Sequence, residues 1–147
     1  MDKNPGNIYK NARSVAGLTQ ERWAEAIGCS VDSVHNYEAG TQLPGDDIVR
    51  TMCEISGLTP LAYWHVCRKS ELAANLLPSV EKIPLPQAVL QLMLTIKHYY
   101  EQEYDMLQLA ADGEINDDEL IEWTGIMDNL DAVIKAALQV KYAEGGV

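Results

Sequence analysis

The stretch from Leu18 to Glu38 constrains the fold of this chain more than any other part of the sequence. Thr19 is a residue type that caps helix N-termini, and the apolar residues after it recur three to four positions apart, as on one helix face. Gly28 can adopt the left-handed backbone that ends a helix, and Ser30 can then cap a second helix. The stretch therefore predicts two short helices joined by a tight turn, a helix-turn-helix.

Each of the two predicted helices has an inward side. On the first helix the inward stripe consists of Trp23, Ala24 and Ile27. On the second helix Val34 and Tyr37 are three positions apart and form its buried face. The residues that remain outside and available to a partner are Val31, Asp32, Ser33, His35 and Asn36.

The segment from about Ile8 to Trp64 resembles the Cro-like phage-repressor (XRE) helix-turn-helix proteins. The resemblance rests on Arg13, Leu18-Thr19-Gln20, Ala24, Gly28-Cys29-Ser30, Val34, Tyr37-Glu38-x-Gly40, Pro44 and the apolar run Ile48, Met52, Ile55 and Leu58. It implies an all-α fold that begins with a five-helix, DNA-binding domain. The patterns NIYKNARSVAGLTQE and AADGEI also resemble a subgroup of these regulators from bacterial mobile elements and prophages.

The same resemblance implies roles for individual residues. In such proteins the residue matching Arg13 pairs with the one matching Glu38, as a bidentate structural clamp between the first and third helices. The candidate DNA-binding residues are Gln20, Ser30, Val31, Asp32, Ser33, His35 and Asn36. Gln20 and Asn36 are residue types that read adenine edges, and Asp32 is one that accepts a hydrogen bond from cytosine N4.

The charge of the chain argues against simple DNA binding, since 11 Lys and Arg stand against 22 Asp and Glu. The excess is uneven: residues 1–75 hold 7 basic and 9 acidic side chains, whereas residues 76–147 hold 4 and 13. Phosphate contacts dominate non-specific affinity for DNA, so the second half should repel it. The first half can bind if its few cations share one face, and the candidates are Lys3, Lys10, Arg22 and Arg50.

Three aspartates also argue against strong DNA binding. Relatives often carry a basic residue where Asp32 stands, and Asp46 and Asp47 stand where the family's fourth helix approaches the DNA backbone. Asp46 and Asp47 are also good first-turn helix residues, because they complement the helix dipole. Under both interpretations two phosphate contacts are missing.

The remainder of the chain predicts one further helix, a linker and a helical hairpin. The helix runs from Leu61 to about Ala74, and three prolines between Leu76 and Pro86 exclude a helix interior there. The predicted domains are therefore residues 1–75 for DNA binding, 76–86 as the linker and 87–147 as an acidic antiparallel hairpin.

The hairpin is predicted from apolar spacing. Its first helix runs from Pro86 to Ala111, and its second begins after Asn116, which forms a capping box with Glu119, and ends at Gly145 and Gly146. The apolar face is wider than one hairpin can cover. Either a second chain or the first domain can cover this face. We expect a second chain, giving a homodimer with a two-fold four-helix bundle.

Other function classes find little support. Cys29, Cys53 and Cys67 fit neither a disulfide framework nor a zinc site, and the segment 112–119 holds only the later half of an EF-hand ligand set. We therefore expect no metal and no cofactor. The three histidines lie on separate helices with no nucleophile nearby, so we do not expect an enzyme. No apolar run is long enough to span a membrane, and we expect a cytoplasmic protein.

The sequence thus predicts a sequence-specific transcriptional regulator of a mobile element or prophage, acting as a repressor on double-stranded operator DNA. The alternative is a mobile-element protein that uses the helix-turn-helix scaffold and its acidic surface as a protein-binding adaptor or inhibitor. The electrostatic potential of the face that carries Gln20, Val31, Asp32 and Asn36 distinguishes the two, since DNA requires a neutral or positive surface.

Overall fold

The structure, a computed structural model, describes residues 7–145. This part of the chain is all-helical, with nine α-helices and no strand. It divides into two compact units, and the boundary lies between Leu77 and Pro78. The predicted all-α fold is confirmed. No helix among the described residues is both long and apolar enough to cross a membrane.

The first unit contains six helices: α1 Ile8–Ala16, α2 Gln20–Ile27, α3 Val31–Ala39, α4 Asp46–Ser56, α5 Leu61–Lys69 and α6 Glu71–Leu76. The predicted turn chemistry of the helix-turn-helix is present. The Thr19 hydroxyl accepts from the backbone N–H of Arg22, and the Ser30 hydroxyl accepts from that of Ser33. Gly28 between them has φ 75°, a left-handed conformation in which a Cβ would be strained.

The core of the first unit lies between α1, α2, α3 and α4. It contains the predicted inward residues of α2 and α3, together with Ile8, Tyr9, Ala12, Val49, Met52, Leu58 and Leu61. In the apolar run on α4, Met52 is buried and Ile48 is half-buried, whereas Ile55 is 39% exposed and Val49 is buried in addition. The helix turns its Val49 and Met52 side to the core, which leaves Ile55 at the margin of the packed face.

The predicted fifth helix is two helices. At Ser70 the backbone is extended, and the Ser70 hydroxyl accepts from the backbone N–H of Ala73. The same residue therefore ends α5 and caps α6. Serine is tolerated inside helices, so the sequence alone did not mark the break.

The second unit is a hairpin built from α7 Leu85–Tyr100, α8 Glu103–Leu109 and α9 Leu120–Lys141. Two contacts show that α7 and α9 run antiparallel. Before α7, Pro84 is bridged to Glu144 after α9. Just after α7, the Gln102 side chain accepts from the Asn129 amide in α9, at 2.6 Å. The predicted antiparallel pairing is therefore present.

Both hairpin helices differ in length from the prediction. The first is interrupted at Glu101 and Gln102, and the separate helix α8 packs against α9 and buries Leu109. No Gly or Pro marks this break, so packing decides it. The capping box of the second is present, since the Asn116 N–H donates to Glu119 Oε2 and the Glu119 N–H donates to Asn116 Oδ1.

The C-terminal end of α9 and the proline-rich segment meet. α9 ends at Lys141, before the predicted stop at Gly145, and Gly146 lies outside the described residues. The Glu144 N–H donates to the Ile83 carbonyl, and the Leu85 N–H donates to the Glu144 carbonyl. Val80 is 5% exposed. The chain from Val80 to Leu85 is thus an ordered part of the second unit.

An ion pair fixes α3 against the rest of the first unit. The Arg13 guanidinium in α1 donates from Nε to Glu38 Oε1 at 2.5 Å and from Nη2 to Oε2 at 3.0 Å. Its Nη1 donates to the Leu18 carbonyl, just before α2. Gln20, the first residue of α2, donates from Nε2 to Glu38 Oε2 at 2.9 Å. One carboxylate therefore ties α1, α2 and α3 together.

The environment of this carboxylate determines its charge. Burial is the largest influence on the pKa of Glu38 and raises it, but hydrogen bonds from Arg13 and Gln20, with the charges of Arg13 and Lys10, outweigh burial. The pKa of Glu38 is consequently below its ordinary value of 4.5. The hydrogen bond to Glu38 likewise raises the pKa of Arg13. Both groups are ionised at neutral pH.

We expect Arg13→Ala to destabilise the first unit by about 3 kcal/mol, because Glu38 would remain as a buried charge without its main partner. Equilibrium urea denaturation measures the change. Arg22→Ala, which removes an exposed arginine of α2, is the matched control and should cost under about 0.5 kcal/mol. Equal losses for the two variants would show that the ion pair does not hold the unit together.

The clamp should also make stability depend on pH. Because the pKa of Glu38 is lower in the folded than in the unfolded protein, its contribution is fully present above pH 4.5 and is lost as pH falls through the lowered value. Glu38→Gln should therefore be less stable than the wild type at pH 7, and the difference should shrink below pH 4.5. Urea denaturation from pH 7 to about pH 3 tests this, and a difference that stayed constant with pH would contradict it.

Candidate nucleic-acid interface

The exposed side of α3 is the candidate interface. Val34 and Tyr37 face the core, whereas Asp32 and His35 are exposed and Val31 is 40% exposed. Ser33 and Asn36 are half-buried. The structure therefore brings the candidate residues of this helix together along its outer side and edges.

Two of the candidate residues are engaged at the start of α3. The Ser30 hydroxyl accepts from the Ser33 backbone N–H at 3.1 Å, and the two hydroxyl oxygens lie 2.8 Å apart. These bonds satisfy one of the N–H groups that a helix start leaves without a partner. The two serines thus set where α3 begins, and with it the register of its outer side.

The amide side chains of Gln20 and Asn36 differ in how strongly hydrogen bonds within the protein restrain them. Gln20 Nε2 is bound to Glu38, so a bidentate contact from Gln20 to adenine would first have to break that hydrogen bond. Asn36 lies at the C-terminal half of α3, where the Thr41 hydroxyl donates to its carbonyl oxygens at 3.2 Å and 3.4 Å. The longer contact, to the Asn36 side chain, is weak. Asn36 is therefore the less constrained of the two.

The cations of the first unit are spread over its helices. α3 itself carries no Arg or Lys. Lys10, Arg22 and Arg50 are exposed and lie on α1, α2 and α4, respectively. The remaining candidate, Lys3, lies outside the described residues. Electrostatic attraction to phosphate is accordingly not concentrated on the helix that carries the candidate base-reading residues.

Asp46 belongs to a network that the sequence did not reveal. Its Oδ1 lies 2.6 Å from Lys69 Nζ and 3.1 Å from His65 Nε2. His65 is 3% exposed, and its Nδ1 lies 2.9 Å from the Tyr9 hydroxyl. The hydrogen bond from Lys69, followed by that from His65, lowers the pKa of Asp46. The aspartate thereby joins α4 to α5, and Lys69 offsets its charge.

His65 could have been found from the sequence. It is four positions after Leu61, so the two share one helix face, and Leu61 is an apolar residue at the start of a predicted helix. Burial of Tyr9 raises the pKa of its phenol, and the charge of Arg68 lowers it. The network therefore belongs to the packing of α1, α4 and α5.

The cysteines lie apart from any such network. Cys29, Cys53 and Cys67 are free and half-buried, and burial raises the pKa of each thiol. A raised thiol pKa disfavours the reactive thiolate. Within residues 7–145 no group of His, Cys, Asp and Glu side chains is arranged to hold a metal ion.

Comparison with known proteins gives one match. Residues 10–62 match a family model described as a helix-turn-helix domain, which covers most of α1, all of α2, α3 and α4, and the start of α5. No curated protein and no solved structure matches the chain. The matched family is related to the XRE type. The first unit is thus a helix-turn-helix domain, and a domain of this kind indicates a DNA-binding regulator.

Proposed function

We propose that this protein is a sequence-specific transcriptional regulator that reads operator DNA with the outer side of α3. The observation that carries the proposal is the way in which α3 is held. A cap fixes its start, the carboxylate of Glu38 fixes it to α1 and α2, and its outer side is exposed at Val31, Asp32 and His35. A helix fixed on its inner side and open on the other suits insertion into a major groove.

The side chains on this surface match base edges. Asn36 can donate to and accept from adenine, Asp32 can accept from cytosine N4, and Val31 can contact a thymine methyl group. Ser30, Ser33 and His35 flank them and can contact bases or phosphates. Gln20 acts in this proposal through the clamp, because its Nε2 donates to Glu38.

The charge distribution supports a particular mode of binding. Because α3 carries no cation, the exposed cations Lys10, Arg22 and Arg50 lie on other helices and Lys69 is paired with Asp46, phosphate contacts are few. Few phosphate contacts mean weak non-specific binding and a shallow dependence on salt. Discrimination between sequences then depends on base contacts from the outer side of α3.

We infer repression as the mode of action. A protein that occupies operator DNA excludes other proteins from that site and needs no additional surface to do so. We infer a mobile element or prophage as the genetic context, because the segments NIYKNARSVAGLTQE and AADGEI resemble regulators of that group. Operator sequences recovered from a random pool of duplexes provide the DNA on which the proposal is tested.

Asn36→Ala should weaken binding to the recovered operator by about 1 to 3 kcal/mol and leave binding to scrambled DNA unchanged, because it removes a base contact only. Binding isotherms on the two duplexes measure this. Asn75→Ala, in α6 and outside the matched domain, is the control and should change neither affinity. The same loss on both duplexes would mean that Asn36 does not read a base.

Asp32→Arg, unlike Asn36→Ala, should change non-specific binding. An added cation beside the phosphates should raise affinity for scrambled DNA and steepen the salt dependence by about one counterion. Isotherms at several salt concentrations give the slope. An unchanged slope would place Asp32 away from DNA, and a wild-type protein without preference for any recovered sequence would overturn the proposed function.

A further inference from the structure

Helix α7 is largely apolar, and its polar residues before Lys97 are Gln87, Gln91 and Thr95. No charged residue occurs from Leu85 to Ile96. A helix of this composition ordinarily has most of its apolar surface buried. In the second unit, however, Ala88 is its only buried residue. Much of the apolar surface of α7 is therefore uncovered.

The two sides of α7 have different neighbours. Ala88, Leu92, Thr95 and Tyr99 are buried or half-buried and recur four, three and four positions apart, which marks the side that packs against α9. The opposite side, here called the α7 outer face, consists of Val89, Leu90, Met93, Leu94, Ile96 and Tyr100. These six side chains are 42 to 68% exposed.

The α7 outer face is large for a surface without a partner. Its six side chains present roughly 600 Å² of surface, if a fully exposed aromatic side chain presents about 200 Å² and an aliphatic one somewhat less. That is the upper end of the largest apolar patch on a typical monomer, about 300–600 Å². Leaving it in water would forgo a substantial part of the available hydrophobic stabilisation.

The charge distribution of the second unit indicates which partner covers the α7 outer face. The acidic residues of α9 are exposed on another side of the unit, at Glu122, Asp128 and Asp131. A basic partner would be attracted to those carboxylates and repelled by Lys97, which is four positions after Met93 and is the one charged residue on this side of α7. The α7 outer face is otherwise apolar and suits another largely apolar surface. A second copy of this chain presents such a surface, and pairing through α7 avoids placing α9 carboxylates at the contact.

The residue spacing is self-complementary. Val89, Met93, Ile96 and Tyr100 are four, three and four positions apart, the repeat by which two helices interlock. If two copies of α7 pack antiparallel about a two-fold axis between Leu94 and Thr95, each Val89 faces Tyr100 of the second copy. Each Met93 then faces Ile96 of the second copy. Each valine thus opposes a tyrosine and each methionine an isoleucine, and the same patch serves both copies.

We propose that the α7 outer face is the self-association surface of this protein, in which two α7 helices pair antiparallel. The two copies together would bury at most about 1,200 Å², the lower limit for a stable protein interface. The dimer should therefore form at micromolar concentration. The proposal does not depend on DNA reading, although a dimer would present two copies of α3 to paired half-sites.

The full-length protein tests the proposal in analytical ultracentrifugation between about 1 and 100 μM, the range expected for an interface of this size. The wild type should be dimeric at the upper end, and Met93→Glu should weaken association at least tenfold. Ile121→Glu is the control, because it adds the same charge at an 87% exposed residue of α9, away from α7. It should associate like the wild type.

Two results would overturn the proposal. A wild type that remained monomeric throughout would assign the α7 outer face to the first unit or to a different protein. A Met93→Glu variant as dimeric as the wild type would place the interface elsewhere. Circular dichroism and thermal melting of each variant check folding, which should be preserved because Met93 is 58% exposed.

A mixing experiment tests the antiparallel pairing and does not depend on loss of association alone. Met93→Glu and Ile96→Lys should each be monomeric, since each homodimer would bury two like charges without partners. In a mixed dimer, the glutamate at position 93 faces the lysine at position 96 of the other chain. Dimers that appear only in the mixture support the pairing. Two folded variants that stay monomeric when mixed would contradict it.

Discussion

The position of α3 depends on one carboxylate, that of Glu38. It accepts hydrogen bonds from Arg13 and Gln20, so it holds the ends of three helices at one point. The surrounding core is apolar and packs against α3 through Val34 and Tyr37. The bidentate guanidinium contact adds a directional restraint, because both of its N–H donors are fixed in one plane. The outer side of α3 is thereby presented in one orientation.

Charge divides the chain into two functional surfaces. The first unit carries nearly balanced charge, and Lys69 and His65 draw the Asp46 carboxylate into the contact between α4 and α5. The second unit is strongly acidic except along α7, whose outer face is apolar. The proposed DNA-reading surface lies on the unit with nearly balanced charge, and the proposed pairing surface lies on a largely apolar side of the acidic unit.

Sequence reasoning was least accurate where a helix is broken without Gly or Pro. Ser70 divides one predicted helix and Glu101 with Gln102 divides another, although both segments keep a helical pattern of apolar residues. Apolar spacing reports which residues share a face, and it is insensitive to a break of one or two residues. The hydrogen bond from Gln20 to Glu38 is also invisible in the sequence, because it depends on the position of α3.

The sequence by itself determined the helix-turn-helix, because Thr19, Gly28 and Ser30 act through local backbone chemistry that needs no distant partner. It also determined the inward residues of α2 and α3 through their spacing. Only the tertiary structure decided the His65 network, the breaks at the two longer helices and which side of α7 stays uncovered. Those features arise where residues far apart in the chain meet, and periodicity along a single helix carries no information about which neighbour covers it.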